Sequence, residues 1–247
     1  MILSPQLIKP HFKTDIYRGI LAYLEKNYPA LDIDQLCLDS GLPRSFLTTP
    51  GNWVSIKFAY EFTRLCKERT DNPRISFEAG RQQMSPTTIG ETLWNYFSGQ
   101  IPVRMLYRIL PSLTSQFSKV TRVEILKLES HYAEFELSLR KESFDSEWEW
   151  DYAKRHAIEI YESTMGYYTA VPTLHNLPLA VANSRIEQTS DHELPRFWLR
   201  IDYADIGWKF PMMTTFVVSL TTWLGYLTSE VFSAPTVLMA MLGSAIG

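Results

Sequence analysis

Tyr132-Ala-Glu-Phe-Glu-Leu-Ser-Leu139 sets Ala133, Phe135, Leu137 and Leu139 against Glu134, Glu136 and Ser138 at every second position. Successive side chains of a strand point to opposite faces, so this alternation predicts a strand with one apolar and one wet side. Just upstream, Val123 and Ile125 alternate with charged neighbours, and Val120 to Leu139 therefore reads as an antiparallel pair. Far downstream, Phe197, Leu199, Ile201 and Tyr203 repeat the pattern against Trp198, Arg200 and Asp202, the second of two later strands. Between the two sets, Glu149 to Met165 returns to helical spacing through Tyr152, His156 and Ile160 with Ala153, Ala157 and Tyr161, and Gly166 is placed to stop that helix.

The front of the chain has helical periods. Residues 15–28 put Ile16, Ile20, Leu21 and Leu24 on one face, with Asp15 after Thr14 as a cap. A short helix from Leu36 ends at Gly41, and turns are expected at Gly41-Leu-Pro43 and Thr49-Pro-Gly-Asn52. Ser55 caps a helix carrying Phe58, Phe62 and Leu65. Thr88 to Phe97 and Val103 to Phe117 follow, the second expected to kink or end at Pro111. The whole predicts an α+β fold: a helical N-terminal half, then a meander-like antiparallel sheet with a long helix packed on one face.

Composition changes after Trp208-Lys209. Phe210 to Ser229 carries no charge, Glu230 interrupts, and Val231 to Gly247 is uncharged again. A hydrocarbon core about 30 Å thick needs roughly 20 helical residues. The chain therefore divides into a soluble domain, residues 1–208, and an apolar helical hairpin, residues 209–247, whose second span looks cut short; buried core helices or an interfacial hairpin are the competing reading. Arg196, Arg200 and Lys209 precede the first span and the turn has no Lys or Arg, which places the soluble domain on the cytoplasmic face of the inner membrane. Met1-Ile-Leu-Ser-Pro5 lacks the features of a secretory signal.

A net charge of −3 and a pI near 6.0 give no basic face for nucleic acid. The glycines form neither phosphate-cradling pattern, and the five histidines are dispersed with no paired ligand spacing. Cys37 and Cys66 fall in apolar helical patterns and read as reduced core thiols. Asp191-His192-Glu193 reads as a solvated turn, and the acidic run Glu142 to Asp151 as a helix entrance favoured by the helix dipole. With no nucleophile, metal cluster or cofactor motif to nominate, the chain is not expected to be an enzyme. What remains is a set of rings with a few polar tips: Trp94, Phe97, Tyr107, Tyr161, Tyr167 and Tyr168, with His156 and Arg108. They read either as core packing or as the wall of a pocket for a small apolar or aromatic ligand.

Leu36-Cys-Leu-Asp-Ser-Gly-Leu-Pro43, Asn52-Trp-Val-Ser55, Gly90-Glu-Thr-Leu-Trp94 and Leu106-Tyr-Arg-Ile-Leu-Pro111 resemble the N-terminal input domains that precede bacterial histidine kinases and nucleotide cyclases. Gly166-Tyr-Tyr-Thr-Ala-Val-Pro-Thr-Leu-His-Asn-Leu-Pro-Leu-Ala180 followed by Phe197-Trp-Leu-Arg-Ile201 is similar to the end of vinyl-reductase-type domains, distant relatives of haem nitric-oxide sensors. That resemblance implies a sensory fold. The cysteines that bind zinc in such domains are missing from Ile186 to Phe197, and neither a Tyr-Xaa-Ser-Xaa-Arg stretch nor an evident axial histidine is present for haem. The N-terminal domains of arabinose-regulator-type transcription activators are similar in their early pattern, although those proteins end in a helix-turn-helix. The expectation is thus a homodimeric, ligand- or partner-sensing input domain of a membrane-associated signalling protein whose output lies elsewhere. The alternatives are a dimerising scaffold at the membrane and a regulatory domain of a transcription activator.

Overall fold

The computed structural model describes residues 4–84, 101–187 and 196–204. Two lobes share one long helix. The helical lobe comprises α1 (Asp15–Asn27), α2 (Ile33–Asp39), α3 (Arg44–Thr48), α4 (Ile56–Thr70) and α5 (Ile75–Gln82). A two-stranded ribbon, β1 (Phe12–Lys13) with β2 (Trp53–Val54), ties its beginning to its middle. The second lobe holds α6 (Val103–Phe117), strands β3 (Thr121–Leu128) and β4 (Tyr132–Leu139), the long helix α7 (Glu147–Ala170), and strands β5 (Val181–Glu187) and β6 (Arg196–Asp202).

The expected α+β class, the β3–β4 pair and the helices on one face of the sheet are all present. All pairings are antiparallel, with Phe135 opposite both Ile125 and Leu199. Ala133, Phe135, Leu137, Phe197, Leu199 and Ile201 are buried beneath α6 and α7. The other face carries cross-strand ion pairs such as Arg200–Glu134, 3.4 Å, and Arg196–Glu136, 3.6 Å. The strand order is β3-β4-β6-β5 rather than that of a meander. Exposure explains it: β6 buries one full face and takes an inner place beside β4, whereas β5 is exposed at nearly every residue and takes the edge.

Three other expectations are corrected. Pro111 does not end α6, which runs through it. The loss is one amide donor to the Tyr107 carbonyl, and burial of Leu106, Tyr107 and Leu110 keeps the helix in place. Gly166 does not stop α7, which continues to Ala170. Asp15 is the first residue of α1 rather than its cap; Thr14 holds the cap position and gives no side-chain cap, its hydroxyl donating to the Thr49 carbonyl at 3.0 Å instead. The Ser55 cap does form, accepting the Phe58 amide at 3.2 Å. Gly41 and Gly51, with φ of +99° and +83°, make the two predicted turns.

The acidic run does open α7, and within it Glu149 is fully buried. Its carboxylate accepts the Asp145 amide at 2.9 Å and meets Lys9 Nζ at 2.6 Å, which fastens the N-terminal segment to α7. Cys37 and Cys66 are free and buried as expected, and burial pushes the Cys37 thiol up to about 12. No helix among the described residues is long and apolar enough to cross a membrane. The predicted hairpin, 209–247, the helix 88–97 and the Asp191-His192-Glu193 turn lie outside the described residues.

Helix α7 is apolar on two faces, so it must be buried twice. Trp150, Ala153 and Ile160 belong to the core of the helical lobe, with Tyr17, Phe58 and Phe62. Ala157, Tyr161, Tyr168 and Ala170 belong to the sheet core. The candidate site lies along the seam between these two cores.

Candidate functional site

A cavity of about 400 Å³ opens between the lobes, within the size range of small-molecule pockets. Five helices wall it, α4 among them with Ala59, Phe62, Thr63 and Cys66. From α6 come Leu106, Leu110, Leu113, Thr114 and Phe117, and from α7 come His156, Glu159, Ile160, Ser163, Thr164 and Tyr167. Helix α5 adds Ser76, Ala79 and Ile75, while α1 adds Ile16, Ile20 and, at the rim, Asp15 and Arg18. The stripes follow from helical period: residues three and four apart lie above one another on one face.

The cavity is bounded by an unusually close helix crossing. A Cβ placed on Gly80 would stand 2.2 Å from the Ser163 carbonyl oxygen, and one on Gly166 would stand 2.0 Å from that of Phe77. Neither glycine can therefore be replaced without moving α5 away from α7. That contact, rather than termination, is what Gly166 serves.

Polar groups in the wall are mostly uncharged. Burial pushes the His156 imidazole down to about 4, so it is neutral at pH 7; Glu159 opposes that shift, with its Oε2 3.8 Å from Nδ1. The Glu159 carboxylate is paired with Lys67 at 3.0 Å. Ser76 Oγ is buried without a hydrogen-bond partner among the described residues. Burial raises the Tyr167 phenol above its ordinary range. Thr114 Oγ1 lies 3.3 Å from the Tyr168 hydroxyl. Arg18 is the one Lys or Arg in the wall among the described residues, with Nη1 3.9 Å from Asp15.

Of the sequence-nominated residues, the structure brings His156 and Tyr167 to this cavity. Tyr107, Tyr161 and Tyr168 are core instead. The Tyr107 hydroxyl donates to the Tyr168 carbonyl at 2.9 Å, Tyr161 stacks on Phe197 with centroids 5.1 Å apart, and Tyr168 meets Phe135 edge-on at 4.9 Å. The Tyr107 bond has a local cause: the ordinary helical donor to that carbonyl would be residue 172, a proline with no N–H. Arg108 points from the exposed face of α6. Trp94 and Phe97 lie outside the described residues. Sequence reasoning missed Ser76, Ala79, Leu110, Leu113 and Ile160. The Leu106, Leu110, Leu113, Phe117 stripe was there to be found, but a stripe facing a void has the same pattern as a stripe facing a core.

An antiparallel sheet under a long helix, joined to a helical lobe across an apolar cavity, defines an α+β architecture. The particular likeness is to H-NOX domains. An oxygen-binding H-NOX domain related to soluble guanylate cyclases matches with a TM-score of 0.57 at 17% identity, over 77% of this chain and 94% of that one. An H-NOX structure from work on haem distortion matches with a TM-score of 0.57 at 16% identity, over 77% and 94%. The Fe(II) unliganded H-NOX protein from K. algicida matches with a TM-score of 0.51 at 10% identity, over 78% and 98%. At such identities the likeness is one of fold. No protein-family model matches the chain, and no curated protein is significantly similar to it.

Haem is the group this fold brings to mind, and the cavity wall does not fit it. Haem carries two propionate carboxylates and needs a donor for its iron. Against those two negative charges the wall offers one guanidinium, already beside Asp15, and a second carboxylate, Glu159. Burial keeps the Cys66 thiol and the Tyr167 phenol protonated, which leaves His156 as the one imidazole donor in the wall among the described residues, and the misfit rests on the propionates. Residues 85–100 contribute no Lys, Arg, His or Cys to the sequence.

Proposed function

We propose that this chain is the sensing input domain of a signalling protein and that the cavity between its lobes receives a small apolar or aromatic ligand. The observation that carries the reading is a 400 Å³ apolar void bounded by a backbone-tight helix crossing, on a fold otherwise found in H-NOX domains. A ligand there touches α1, α5, α6 and α7 at once, so it couples the helical lobe to the sheet lobe. Signalling then requires that the ligand favour one of two packings of those helices. The vinyl-reductase-type and arabinose-regulator resemblances agree with an input role and add nothing about the ligand.

The same reading includes a homodimer on the cytoplasmic side of a membrane, attached through residues 210–247, with no catalytic activity of its own. Its support is the apolar sequence of that segment, in which Glu230 is the single charge. Val181 and Ile186, exposed on edge strand β5, favour a second reading as a dimerising scaffold that binds nothing small.

Thermal melts of the full chain against aromatic and fatty metabolites, alongside mass spectrometry of co-purifying molecules, separate the two. The sensing reading expects a stabilising compound, because anything that binds only the native state raises its melting temperature. A panel without effect, together with no co-purifying molecule, leaves the scaffold.

A further inference from the structure

We infer that the cavity takes an elongated, uncharged amphiphile, of the class of medium-chain alcohols and esters, with its polar group between Ser76 and Tyr167. The inference rests on the sensing reading and deepens it.

Length comes from helix geometry. His156, Ile160, Ser163 and Tyr167 follow one another at spacings of three and four along α7, a span of about 16 Å at 1.5 Å per residue. Leu106, Leu110, Leu113 and Phe117 line α6 over the same distance. Two parallel walls of that length suit a chain better than a single ring.

Charge excludes an ionised head inside. The interior groups are hydroxyls, the Gln83 and Gln116 amides, the Cys66 thiol and a neutral imidazole, Glu159 is committed to Lys67, and the one guanidinium among the described residues stands beside Asp15. An ion drawn into such a wall loses its hydration without finding a free countercharge.

The polar anchor comes from the crossing itself. Gly166 closes on the Phe77 carbonyl, so the next residues along each chain, Ser76 on α5 and Tyr167 on α7, line the cavity side by side at one end. Ser76 Oγ is buried with no partner, and the Tyr167 hydroxyl has none among the described residues. Buried polar atoms in native proteins are nearly always satisfied, and a carbonyl or hydroxyl oxygen on a ligand would satisfy Ser76 Oγ. Apolar atoms of the ligand then run toward His156 over Leu110, Leu113 and Ile160.

The test is a melt and titration series on the full chain with dodecanol, methyl dodecanoate, fully ionised dodecanoate and haem. Dodecanol and methyl dodecanoate are expected to raise the melting temperature by several degrees near saturation. Ser76→Ala and Tyr167→Phe should each weaken that binding about three- to tenfold, the worth of one hydrogen bond, with the unliganded melting temperature nearly unchanged. Dodecanoate binding as tightly as dodecanol, or haem giving a stoichiometric absorption band, overturns the inference while leaving a sensing cavity in place. If these compounds and the wider metabolite panel all fail, the inference and the sensing reading fall together.

Discussion

Along a single pair of helices, α5 and α7, backbone meets backbone at Gly80 and Gly166, and within a turn of that contact a void of about 400 Å³ opens. The first region has no room for a methyl group; the second has room for a ligand. The two are cause and effect. Packed interiors leave few voids larger than a water molecule, and a void of this size would collapse unless its walls were fixed. The glycine crossing fixes two of them, and the sheet core, through Tyr107, Tyr161 and Tyr168, holds α6 and α7 apart from the other side. The cavity is thus framed by the best-packed parts of the molecule.

The largest effect should come from breaking the crossing. Gly166→Ala is expected to cost about 3 kcal/mol in urea unfolding, since the clash is with a carbonyl of the opposing backbone and no side chain can move aside. Gly51→Ala, where nothing lies within 4 Å, should cost only the strain of its left-handed conformation, about 1 kcal/mol.

Acid should have an effect of comparable size. The His156 imidazole titrates near 4 in the folded chain against 6.5 when exposed, so the unfolded chain binds the extra proton first. Its contribution is therefore complete above pH 6.5 and is lost as pH falls toward 4, a difference of roughly 3 kcal/mol at 1.4 kcal/mol per pH unit. His11, also pushed down by burial, acts in the same direction. Unfolding free energies of wild type and His156→Gln, measured across that window, should converge as the pH falls; a constant gap would place the imidazole in water.

Filling space sharpens the contrast between tight and open regions. Ala133→Leu, in the closed sheet core, should cost about 1–3 kcal/mol. Ala79→Leu, equally buried but facing the cavity, should change stability by less than about 1 kcal/mol or raise it. Equal penalties at the two sites would mean that the void is not there. Tyr107→Phe should cost about 1 kcal/mol in the same assay, because the Tyr168 carbonyl loses the hydroxyl but keeps the Val171 amide.

How far the sequence foretells all this depends on whether the deciding physics is local. Strands β3, β4 and β6 were legible because a half-buried strand writes its burial into alternate residues, and the Ser55 cap because it needs only the three residues that follow. Gly166 was misread because a glycine that ends a helix and one that lets another helix approach look alike along the chain. The strand order was hidden since alternation marks a buried face but not the neighbours a strand takes, and only relative exposure in the folded state separates edge from centre. Ring-rich segments drew attention to Tyr107, Tyr161 and Tyr168, whose hydroxyls and faces are spent inside the sheet core. The residues around the void are ordinary aliphatics and small hydroxyls, and an absence of neighbours leaves no mark on a sequence.

The central claim, that the seam between the lobes is a preformed apolar site, is tested most directly with a neutral environment-sensitive fluorophore such as prodan. The comparison is the full chain against a filled variant carrying Ala79→Leu and Leu113→Trp, with cooperative melts confirming that both are folded. The account predicts one saturable site per chain in the wild type and none in the filled variant. Equal binding by both proteins would put the probe elsewhere on the surface and contradict it.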